Sequence, residues 1–408
     1  MRTIAGRAFG LSLVAATLAA AACAHPVVTP QPLSTVPAAR LARLARSASV
    51  TRWSTVVGDP ALWVQDHDLS DADAALIRRL GFSSVRLVVP LAGIFHPSAP
   101  DRPDPITLAE LDRVLDRLLA HDLGVIIDPH PSATNRRIET DSAYAEGFVR
   151  FWGALAGHLS HRDPERVFLE VINEPVFAGR ASQWAALQER LLIVMREAAP
   201  AHTLIAAGTG WSSIEGLLRI TPVADGNVIY TFHFYEPFVF THQGEGWAQP
   251  PAGKLRGVPY PVDSAGCGAV SAEQRDSSAA RAMRQYCAQG WNTAAVERRL
   301  AKAEEWGRKH QVPVLLGEFG ASSKAAPLEA RAAWIRDVRM AAERLGMGWA
   351  IWSFDDRFGL GARPGPDGNL VVDPSVVRAL GLRPDSAALS RAQHSSPRDH
   401  DLRSPAQR

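Results

Sequence analysis

Short apolar segments alternate with amphipathic helical segments along most of the chain, and this alternation constrains the fold more than any other feature of the sequence. The apolar segments are often β-branched, which is typical of strands that are buried on both faces. They lie at residues 49–53, 85–89, 124–128, 167–172, 203–206, 228–232, 312–316 and 349–352. Eight strand–helix units over about 340 residues predict an α/β fold, a single-domain (β/α)8 TIM barrel spanning residues 46–385.

The helical stretches between these segments each carry one apolar face. Leu111, Leu115 and Leu118 recur at three- and four-residue spacing, while Asp112 and Arg113 point away from them. The main alternative is an open doubly wound sheet that binds a dinucleotide. That fold has a Gly-x-Gly-x-x-Gly turn after its first strand, and the sequence has no such turn there, so the barrel is favoured.

Two of the predicted strands run directly into a glutamate. The fourth strand is followed by Asn173 and Glu174, and the seventh by Gly317 and Glu318. In a TIM barrel the C-terminal ends of the strands carry the chemistry, and the fourth and seventh strands lie across the barrel from each other. Two facing carboxyl groups suit the cleavage of a glycosidic bond, at a separation of about 5–5.5 Å in a retaining enzyme. Either glutamate taken alone would be interpreted as a surface cap or a member of a buried ion pair.

Other strand ends also carry side chains that can bind or activate a sugar. They are Arg86 in the second strand, His130 after the third, His233 and Tyr235 after the sixth, and Trp352 at the end of the eighth. A single histidine near a strand is usually a hydrogen-bonded core residue. Packing alone does not place polar or aromatic side chains at so many strand ends, so we expect them to line one site with the two glutamates.

This set resembles glycoside hydrolase family five, the cellulase-like family of retaining glycosidases in clan A, over about residues 46–380. The family pattern is matched in order by Arg86, His130, Asn173, Glu174, His233, Tyr235, Glu318 and Trp352. The first strand departs from that pattern, because the usual Gly-x-Asn-Leu segment is not found near Trp53. The resemblance therefore does not extend to the negative-subsite contacts that this strand would supply.

Chemistry and resemblance together imply the roles of the two glutamates. Glu174 would be the general acid/base, with its pKa raised toward about 6–7 because burial and a second carboxylate disfavour its charged form. Glu318 would stay ionised and attack the anomeric carbon, forming a covalent glycosyl-enzyme. Arg86 and Tyr235 would orient Glu318 and keep it charged.

The remaining family positions are expected to hold the sugar. Asn173 is placed to hydrogen-bond to the sugar 2-hydroxyl, a contact that strengthens in the transition state. His130 and His233 would bind sugar hydroxyls or position Glu174. Trp352 offers an apolar face on which a pyranose ring can stack, with packing inside the barrel as the alternative.

Four acidic or aromatic residues near the strand ends receive other interpretations. Glu170 shares a strand face with Glu174 and is interpreted as a structural partner of Arg86, and Asp128 as a supporting residue. Trp211, after the fifth strand, would form a positive subsite or pack in the core. Asp356, after the eighth strand, would bind sugar hydroxyls.

The connection from residue 236 to 289 is unusually long for a strand–helix link, and long connections of this kind are usually functional. It contains Cys267 and Cys287, which an exported chain would pair, leaving Cys23 unpaired. The predicted disulfide closes a loop of about 20 residues, which stabilises by about 3 kcal/mol. We expect a disulfide-pinned loop that flanks the cleft on its acceptor side.

Both termini differ in composition from the predicted barrel. Residues 1–23 have basic residues before an apolar run that ends in small residues, which predicts a signal peptide, with a lipoprotein signal that would place lipid on Cys23 as the alternative. Residues 24–45 are expected to be a linker and residues 386–408 a disordered tail. The protein is therefore expected to be exported to the periplasm, anchored to the outer membrane through Cys23, or extracellular.

The predicted activity is that of a retaining β-glycoside hydrolase acting on β-linked glucan polysaccharides or oligosaccharides by double displacement. An endo-β-1,4-glucanase (cellulase) type is expected. Because the same eight residues serve other members of the family, a β-mannanase and an exo- or endo-β-1,3-glucanase remain alternatives. An inactive carbohydrate-binding lipoprotein is an alternative of another class, although both glutamates needed for catalysis are present.

Composition argues against several other classes. Basic and acidic residues are interspersed and the net charge is +2, so no basic face for nucleic acid is expected. The cysteines lack metal-type spacing and His130 and His233 lack a third ligand, so neither a metal nor another cofactor is expected. Glu318 would repel phosphate where a barrel binds a phosphorylated metabolite. We expect a monomer whose partner is a β-glucan or related glycan.

Overall fold

The computed structural model describes residues 34–57, 67–131, 137–248, 251–273, 277–365 and 370–383. The predicted signal segment 1–23, including Cys23, lies outside the described residues, as does the predicted tail 386–408. Among the described residues, no helix is both long enough and apolar enough to cross a membrane.

Eight parallel strands form a closed barrel in which each strand pairs with its neighbours in chain order, and the eighth pairs with the first. The strands are β1 (Arg46–Val50), β2 (Ser84–Pro90), β3 (Gly124–His130), β4 (Val167–Glu170), β5 (Thr203–Ala207), β6 (Val228–Phe234), β7 (Val314–Phe319) and β8 (Gly348–Ile351). The predicted (β/α)8 TIM barrel is therefore confirmed.

Helices surround the barrel and fill the connections between its strands. They are α1 (Ala38–Arg43), α2 (Asp71–Leu80), α3 (Leu91–Ile94), α4 (Pro105–Ala120), α5 (Arg137–Thr140), α6 (Ser142–Leu159), α7 (Ala181–Ala198), α8 (Thr209–Ser212), α9 (Ile214–Leu217), α10 (Phe238–Thr241), α11 (Ser264–Glu273), α12 (Ser277–Gln289), α13 (Thr293–His310), α14 (Leu328–Arg344) and α15 (Pro374–Ala379). A two-stranded antiparallel sheet, β9 (Arg363–Pro364) and β10 (Leu370–Val371), follows β8. Ser70 caps α2 through a capping box and Gly81 ends it in a left-handed conformation.

All eight strands differ from their predicted limits by at least one residue, and the differences in the first, fourth and seventh strands bear on the site. The first lies at Arg46–Val50 and not at 49–53, because the backbone amides of Thr51 and Arg52 donate to the carboxylate of Asp355 instead of to a strand. The fourth ends at Glu170, two residues earlier than predicted. The seventh continues through Phe319, so that Glu318 lies inside the strand, next to a register shift against β6.

The predicted linker 24–45 is too long, because the part from residue 34 onward belongs to the folded domain. The backbone amide of Thr35 donates to Gly226 O at 2.8 Å. Arg40 of α1 is 7% exposed and donates to Glu165 and Thr203, which lie on the β4 and β5 side of the barrel. The sequence pattern is poor at detecting such a short helix, whose stability comes from these distant contacts.

The barrel interior is apolar at its N-terminal end and charged above it. The apolar layer consists of Leu44, Ile126, Phe168, Ile205, Ile229 and Leu315. Because alternate residues of a strand point to the same face, Asp128 and Glu170 follow this layer toward the C-terminal end. A charged layer is thereby placed directly beneath the ends of the strands, where the candidate site lies.

The long connection after β6 is largely helical, although the sequence predicts a loop. It contains α10, a short 3₁₀ helix (Ala252–Lys254), α11 and α12. The predicted disulfide between Cys267 and Cys287 is present and joins α11 to α12. Tyr260 in this connection donates to Asp337 of α14 at 2.9 Å, which fixes the segment against the outside of the barrel.

Candidate active site

The two predicted glutamates meet at the C-terminal end of the barrel. Glu174 follows β4 at a backbone position with φ of 46°, and Glu318 lies near the end of β7. Nδ1 of His233 is 2.9 Å from Oε1 of Glu174 and 3.4 Å from Oε2 of Glu318. One oxygen of each carboxyl group and a ring nitrogen of His233 all lie within 4.8 Å of one another. This spacing is close to the separation of about 5 Å in retaining glycosidases and well below the ~6.5–9.5 Å of inverting ones.

Glu318 is 3% exposed, and both of its oxygens accept a hydrogen bond. Nη1 of Arg86 donates to Oε1 at 2.6 Å, and the hydroxyl of Tyr235 donates to Oε2 at 2.9 Å. Burial raises the pKa of Glu318 above its usual value, whereas His233 and Arg86 lower it and Glu174 raises it. The two donors fix the carboxylate in one orientation and stabilise its charged form.

Glu174 is in an environment that favours its protonated form. Burial raises its pKa from 4.5 to about 7, with His130 and Arg86 opposing the rise and Asp128 and Glu170 adding to it. Its side chain remains 26% exposed, so that it can reach a bound substrate. A carboxylic acid that still carries its proton near neutral pH can donate that proton to a leaving group.

Arg86 is fully buried and is surrounded by carboxylates. Nε and Nη2 each donate to one oxygen of Glu170 at 2.8 Å, and Nη2 also lies 3.0 Å from Asp128. Burial alone would lower the pKa of Arg86. The surrounding carboxylates Asp128, Glu170 and Glu318 raise it by more than this, so the net pKa lies well above its usual value. Arg86 is therefore a permanent positive charge beneath the two glutamates, with Glu170 as the bidentate partner expected from the sequence.

The orientation of Asn173 is set by a closed ring of hydrogen bonds. Its Oδ1 accepts from Nη2 of Arg86 at 3.0 Å, and its Nδ2 lies 2.9 Å from Nε2 of His130. Burial lowers the pKa of His130 to about 4, so the imidazole of His130 is neutral near pH 7. Because Nδ2 of Asn173 donates to Nε2 of His130, the proton of the imidazole lies on Nδ1, which is 3.1 Å from Oδ2 of Asp128.

Trp352 leaves the barrel directly after β8 and stacks on His130, with ring centroids 5.5 Å apart. It is half-buried, whereas the neighbouring Trp349 is completely buried. The structure thus brings together all eight positions of the sequence pattern at one end of the barrel.

Among the described residues, one group of three side chains could hold a metal ion, and it is Glu174, His233 and Glu318 themselves. Arg86 and Tyr235 already donate to both oxygens of Glu318, and the guanidinium would repel a cation. The donor set is better suited to moving a proton than to holding a metal.

Comparison with known proteins identifies the family. A model of the cellulase family, glycosyl hydrolase family 5, matches residues 45–357. The chain belongs to this family. Its barrel, its paired carboxyl groups and the family match agree with one another, and the chain is a member of the glycosidases.

Three relatives illustrate the similarity. Endoglucanase 3 of Fibrobacter succinogenes is 27% identical over 71% of this chain and 47% of its own length, so the chain spans about half of that relative. Endoglucanase C of Acetivibrio thermocellus is 25% identical over 71% of this chain and 84% of its own length. A solved structure of a hyperthermophilic endo-beta-1,4-glucanase in complex with substrate is 26% identical, with a TM-score of 0.68, and covers 84% of this chain and 98% of that one.

Trp211 does not pack in the core of this family 5 barrel. Its side chain is 51% exposed in a left-handed turn after β5, where Gly210, Trp211 and Ser212 all have positive φ. Gly208 and Gly216 allow this turn, because a Cβ on Gly208 would lie 2.2 Å from the backbone of Gly216. The alternative of a core role is therefore wrong, and an exposed aromatic face remains at the C-terminal end of the barrel.

The two aspartates after β8 have local structural partners. Asp355 accepts from the amides of Thr51 and Arg52 and from Ser353 Oγ, which joins the ends of β1 and β8. Asp356 accepts from the amide of Phe358 at 2.9 Å, and burial raises its pKa. The predicted binding of sugar hydroxyls by Asp356 is not tested by these contacts.

Sequence reasoning missed an aromatic cluster that extends outward from Tyr235. We call it the aromatic wall, and it consists of Tyr235, Phe238, His242, Trp247 and Phe358. His242 contacts all four of the other rings, and Trp247 and Phe238 are 59% and 45% exposed. The aromatic residues between 238 and 247 were visible as a signal, but Phe358 comes from the loop after β8 and no local pattern links it to them.

Proposed function

We propose that the chain is a retaining endo-β-1,4-glucanase, with Glu174 as general acid/base and Glu318 as nucleophile. The observation that carries the proposal is the geometry of the pair, in which an oxygen of Glu174 lies within 4.8 Å of an oxygen of Glu318 while Arg86 and Tyr235 donate to the two oxygens of Glu318. We assign the proton to Glu174, where burial raises the pKa to about 7, and the negative charge to Glu318, to which Arg86 and Tyr235 donate.

In the first step Glu318 attacks the anomeric carbon and forms a covalent ester with the sugar. The glycosidic C–O bond breaks at the same time, and Glu174 transfers its proton to the leaving oxygen, so that the leaving sugar departs as an alcohol. Arg86 holds Oε1 of Glu318 at 2.6 Å and Tyr235 holds Oε2 at 2.9 Å, which leaves the carboxylate little freedom to rotate away from the reaction.

In the second step water hydrolyses the ester. Glu174 is now a carboxylate, and it accepts a proton from the attacking water while the bond from the sugar to Glu318 breaks. Esterification has removed the negative charge of Glu318, and the loss of a nearby like charge lowers the pKa of Glu174, which suits its change from acid to base. Both groups return to their starting proton states.

The neighbouring side chains support the sugar in these steps. The side-chain amide of Asn173 has two N–H groups, of which one donates to His130. The other can donate to the 2-hydroxyl of the sugar. Trp352 presents a half-buried indole beside His130 for stacking. These two contacts would orient the sugar ring above Glu318.

A β-1,4-glucan is the proposed substrate because relatives of 25–27% identity are named as endoglucanases and one as an endo-beta-1,4-glucanase. The exposed faces of Trp211 and Trp247 support a polymeric substrate, since stacked pyranose rings need apolar faces at intervals along the chain. A β-mannan or a β-1,3-glucan would meet the same eight residues and is an alternative outcome of the test.

The test is hydrolysis of soluble β-1,4-glucan, β-1,3-glucan and β-mannan by the mature protein, with the anomer of the first product followed by NMR. Cleavage of β-1,4-glucan with release of the β-anomer is expected, together with loss of activity in Glu318→Gln. The matched control is Glu329→Gln, the same change on an exposed glutamate of α14, which should be as active as the wild type. Release of the α-anomer would contradict retention, and binding without cleavage would favour the carbohydrate-binding alternative.

We also propose that the protein is exported. The Cys267–Cys287 disulfide supports this location, because disulfides persist in oxidising compartments, and the sequence of residues 1–23 has the composition of a signal peptide. The lipoprotein alternative is tested by Cys23→Ser, which should move the protein from the membrane fraction to the soluble fraction. No change in fractionation would contradict lipid attachment at this residue.

A further inference from the structure

Glu245 is a completely buried carboxylate outside the set of residues that contact the reaction centre. It lies in the connection after β6. Its Oε1 accepts from Ser322 Oγ at 2.5 Å and lies 2.8 Å from Nε of Arg357. Its Oε2 is buried and has no hydrogen-bond partner among the described residues. A buried carboxylate with one incompletely satisfied oxygen is costly for folding, so its presence needs a compensating role.

The two partners of Glu245 lie on different loops. Ser322 follows β7, the strand that carries Glu318, and Arg357 follows β8, the strand that leads into Trp352. One side chain therefore joins the connection after β6 to the loops after β7 and β8. Backbone contacts reinforce the junction, since the amide of Ser322 donates to Thr241 O at 2.8 Å and the amide of Ser323 donates to Arg357 O at 3.1 Å.

Close packing beside Glu245 makes the junction specific. Gly244 has φ of 78°, and a Cβ at this residue would lie 2.6 Å from Cβ of Ala325 in the loop after β7. A Cβ on Gly253 would lie 2.5 Å from the carbonyl oxygen of Glu245. Only glycine fits at these two positions, so the backbone on both sides of the carboxylate is held at a fixed distance from the barrel loops.

Glu245 also lies between members of the aromatic wall. His242 and Trp247 flank it in the sequence, and its partner Arg357 is followed directly by Phe358. The rings of Phe358 and His242 are 4.9 Å apart, and those of Phe358 and Trp247 are 6.2 Å apart. The clamp from Glu245 to Arg357 thus sets the position of Phe358 relative to Trp247.

We propose that Glu245 is a positioning residue for substrate binding, which holds the exposed Trp247 against the buried Phe358 as a preformed stacking face for a sugar unit beyond the one at the reaction centre. This inference rests on the proposed function. The wall begins at Tyr235, which donates to Glu318, and Trp247 is reached from Tyr235 through His242 by two ring contacts of 5.3 Å each. Trp247 therefore lies past the first sugar unit, and only longer substrates reach it.

The experiment compares kcat and KM of Glu245→Gln on substrates of different length. Glutamine keeps the shape of the side chain but weakens the contact to Arg357. KM for cellohexaose is expected to rise about five- to tenfold, the loss expected for one aromatic contact, while KM and kcat for an aryl β-cellobioside stay within about twofold. Ser322→Ala, a smaller change at the other partner, should produce the same dependence on length with less risk to folding.

A double-mutant cycle with Trp247→Ala tests whether Glu245 acts through this tryptophan. If it does, Glu245→Gln adds little to the loss already caused by Trp247→Ala, so the two effects are not additive. Additive effects, or an equal rise in KM for short and long substrates, would overturn the proposal. Wild-type KM at every length in both Glu245→Gln and Ser322→Ala would also overturn it.

The same variants separate this inference from the proposed function. If the wild type cleaves none of the β-glucans, the proposed function fails, and calorimetric binding of cellohexaose to wild type and Glu245→Gln still measures the stacking face. Weaker binding by the variant would support the positioning role, and equal binding would contradict it.

Discussion

Nδ1 of His233 lies 2.9 Å from Oε1 of Glu174, so an imidazole stands directly beside the proposed acid. Burial lowers the pKa of His233 to about 4, and the ring is neutral near pH 7. Its Nε2 is buried without a partner among the described residues, and an orphaned acceptor is less costly than an orphaned N–H. We infer that Nδ1–H donates to Oε1, which leaves Oε2 of Glu174 to carry the proton toward the substrate.

The pH dependence of the reaction should report this proton. As pH rises through about 7, Glu174 loses its proton and kcat/KM for an unactivated substrate falls about tenfold per pH unit. A dinitrophenyl β-cellobioside has a leaving group that needs no protonation, so its cleavage to the glycosyl-enzyme should lack this alkaline limb. The measurement is kcat/KM against pH for both substrates.

The control for this profile is Glu174→Gln, which cannot donate a proton. It should be nearly inactive on cello-oligosaccharides and should retain formation of the glycosyl-enzyme from the dinitrophenyl substrate, seen as a burst of released phenol. An alkaline limb that persists with the activated substrate would show that another group titrates, and Glu174 would no longer explain the profile.

Stability should depend on pH through the same carboxyl group. The folded-state pKa of Glu174 is raised from 4.5 to about 7, so the folded protein binds this proton more tightly than the unfolded chain. The resulting stabilisation is fully present below about pH 4.5 and is lost as pH rises through about 7. Glu174→Gln should therefore be more stable than the wild type at pH 8 and no more stable at pH 4.

The expected gain at pH 8 is about 1–2 kcal/mol, because about 1.4 kcal/mol per pKa unit is reduced by solvent screening of a side chain that is 26% exposed. Urea unfolding of both proteins at pH 4 and pH 8 measures it. A difference in unfolding free energy that is the same at both pH values would contradict the assignment of the raised pKa to Glu174.

Asp128 should influence catalysis through the tautomer of His130. Asp128→Asn offers His130 an amide instead of a carboxylate, which removes the preference for a proton on Nδ1 and disturbs the acceptor that Asn173 uses. We expect kcat/KM to fall about tenfold, because the contact of Asn173 with the sugar 2-hydroxyl strengthens in the transition state.

The decisive comparison for Asp128→Asn uses a 2-deoxy substrate, on which wild type and variant should be equally fast. A loss that is as large on the 2-deoxy substrate would mean that Asp128 does not act through Asn173.

The sequence predicts most of the barrel and the carboxylate pair because both depend on local features. Buried strands are recognisable as apolar runs, and the residue that follows such a run lies at the C-terminal end of the barrel, whatever the exact limit of the strand. Glu174 and Glu318 therefore lie at the same end of the barrel, as the sequence predicts, even though β4 ends earlier and β7 ends later than predicted.

Features that depend on distant partners could not be predicted in this way. The first strand ends before its predicted limit because Asp355, about three hundred positions away, accepts hydrogen bonds from the amides that follow it. Likewise α1 is stabilised by Glu165 and Thr203, and the aromatic wall is completed by Phe358. In each case the local pattern is weak and the contact that decides the structure is non-local.

The disulfide should stabilise the connection after β6 and not the reaction centre. It links Cys267 of α11 to Cys287 of α12 across a sequence separation of 20, for which chain entropy predicts about 3 kcal/mol. Cys267→Ser/Cys287→Ser is expected to lower the unfolding free energy by about 2–3 kcal/mol while kcat on an aryl β-cellobioside stays unchanged, since Tyr235 and Glu318 lie on the barrel strands and their ends. Urea unfolding with and without dithiothreitol measures the effect, and the double serine variant, which has no disulfide to lose, should not respond to the reductant. Equal stability of wild type and variant in the absence of reductant would contradict a stabilising role, because a disulfide that restricts the unfolded chain should make the wild type the more stable of the two.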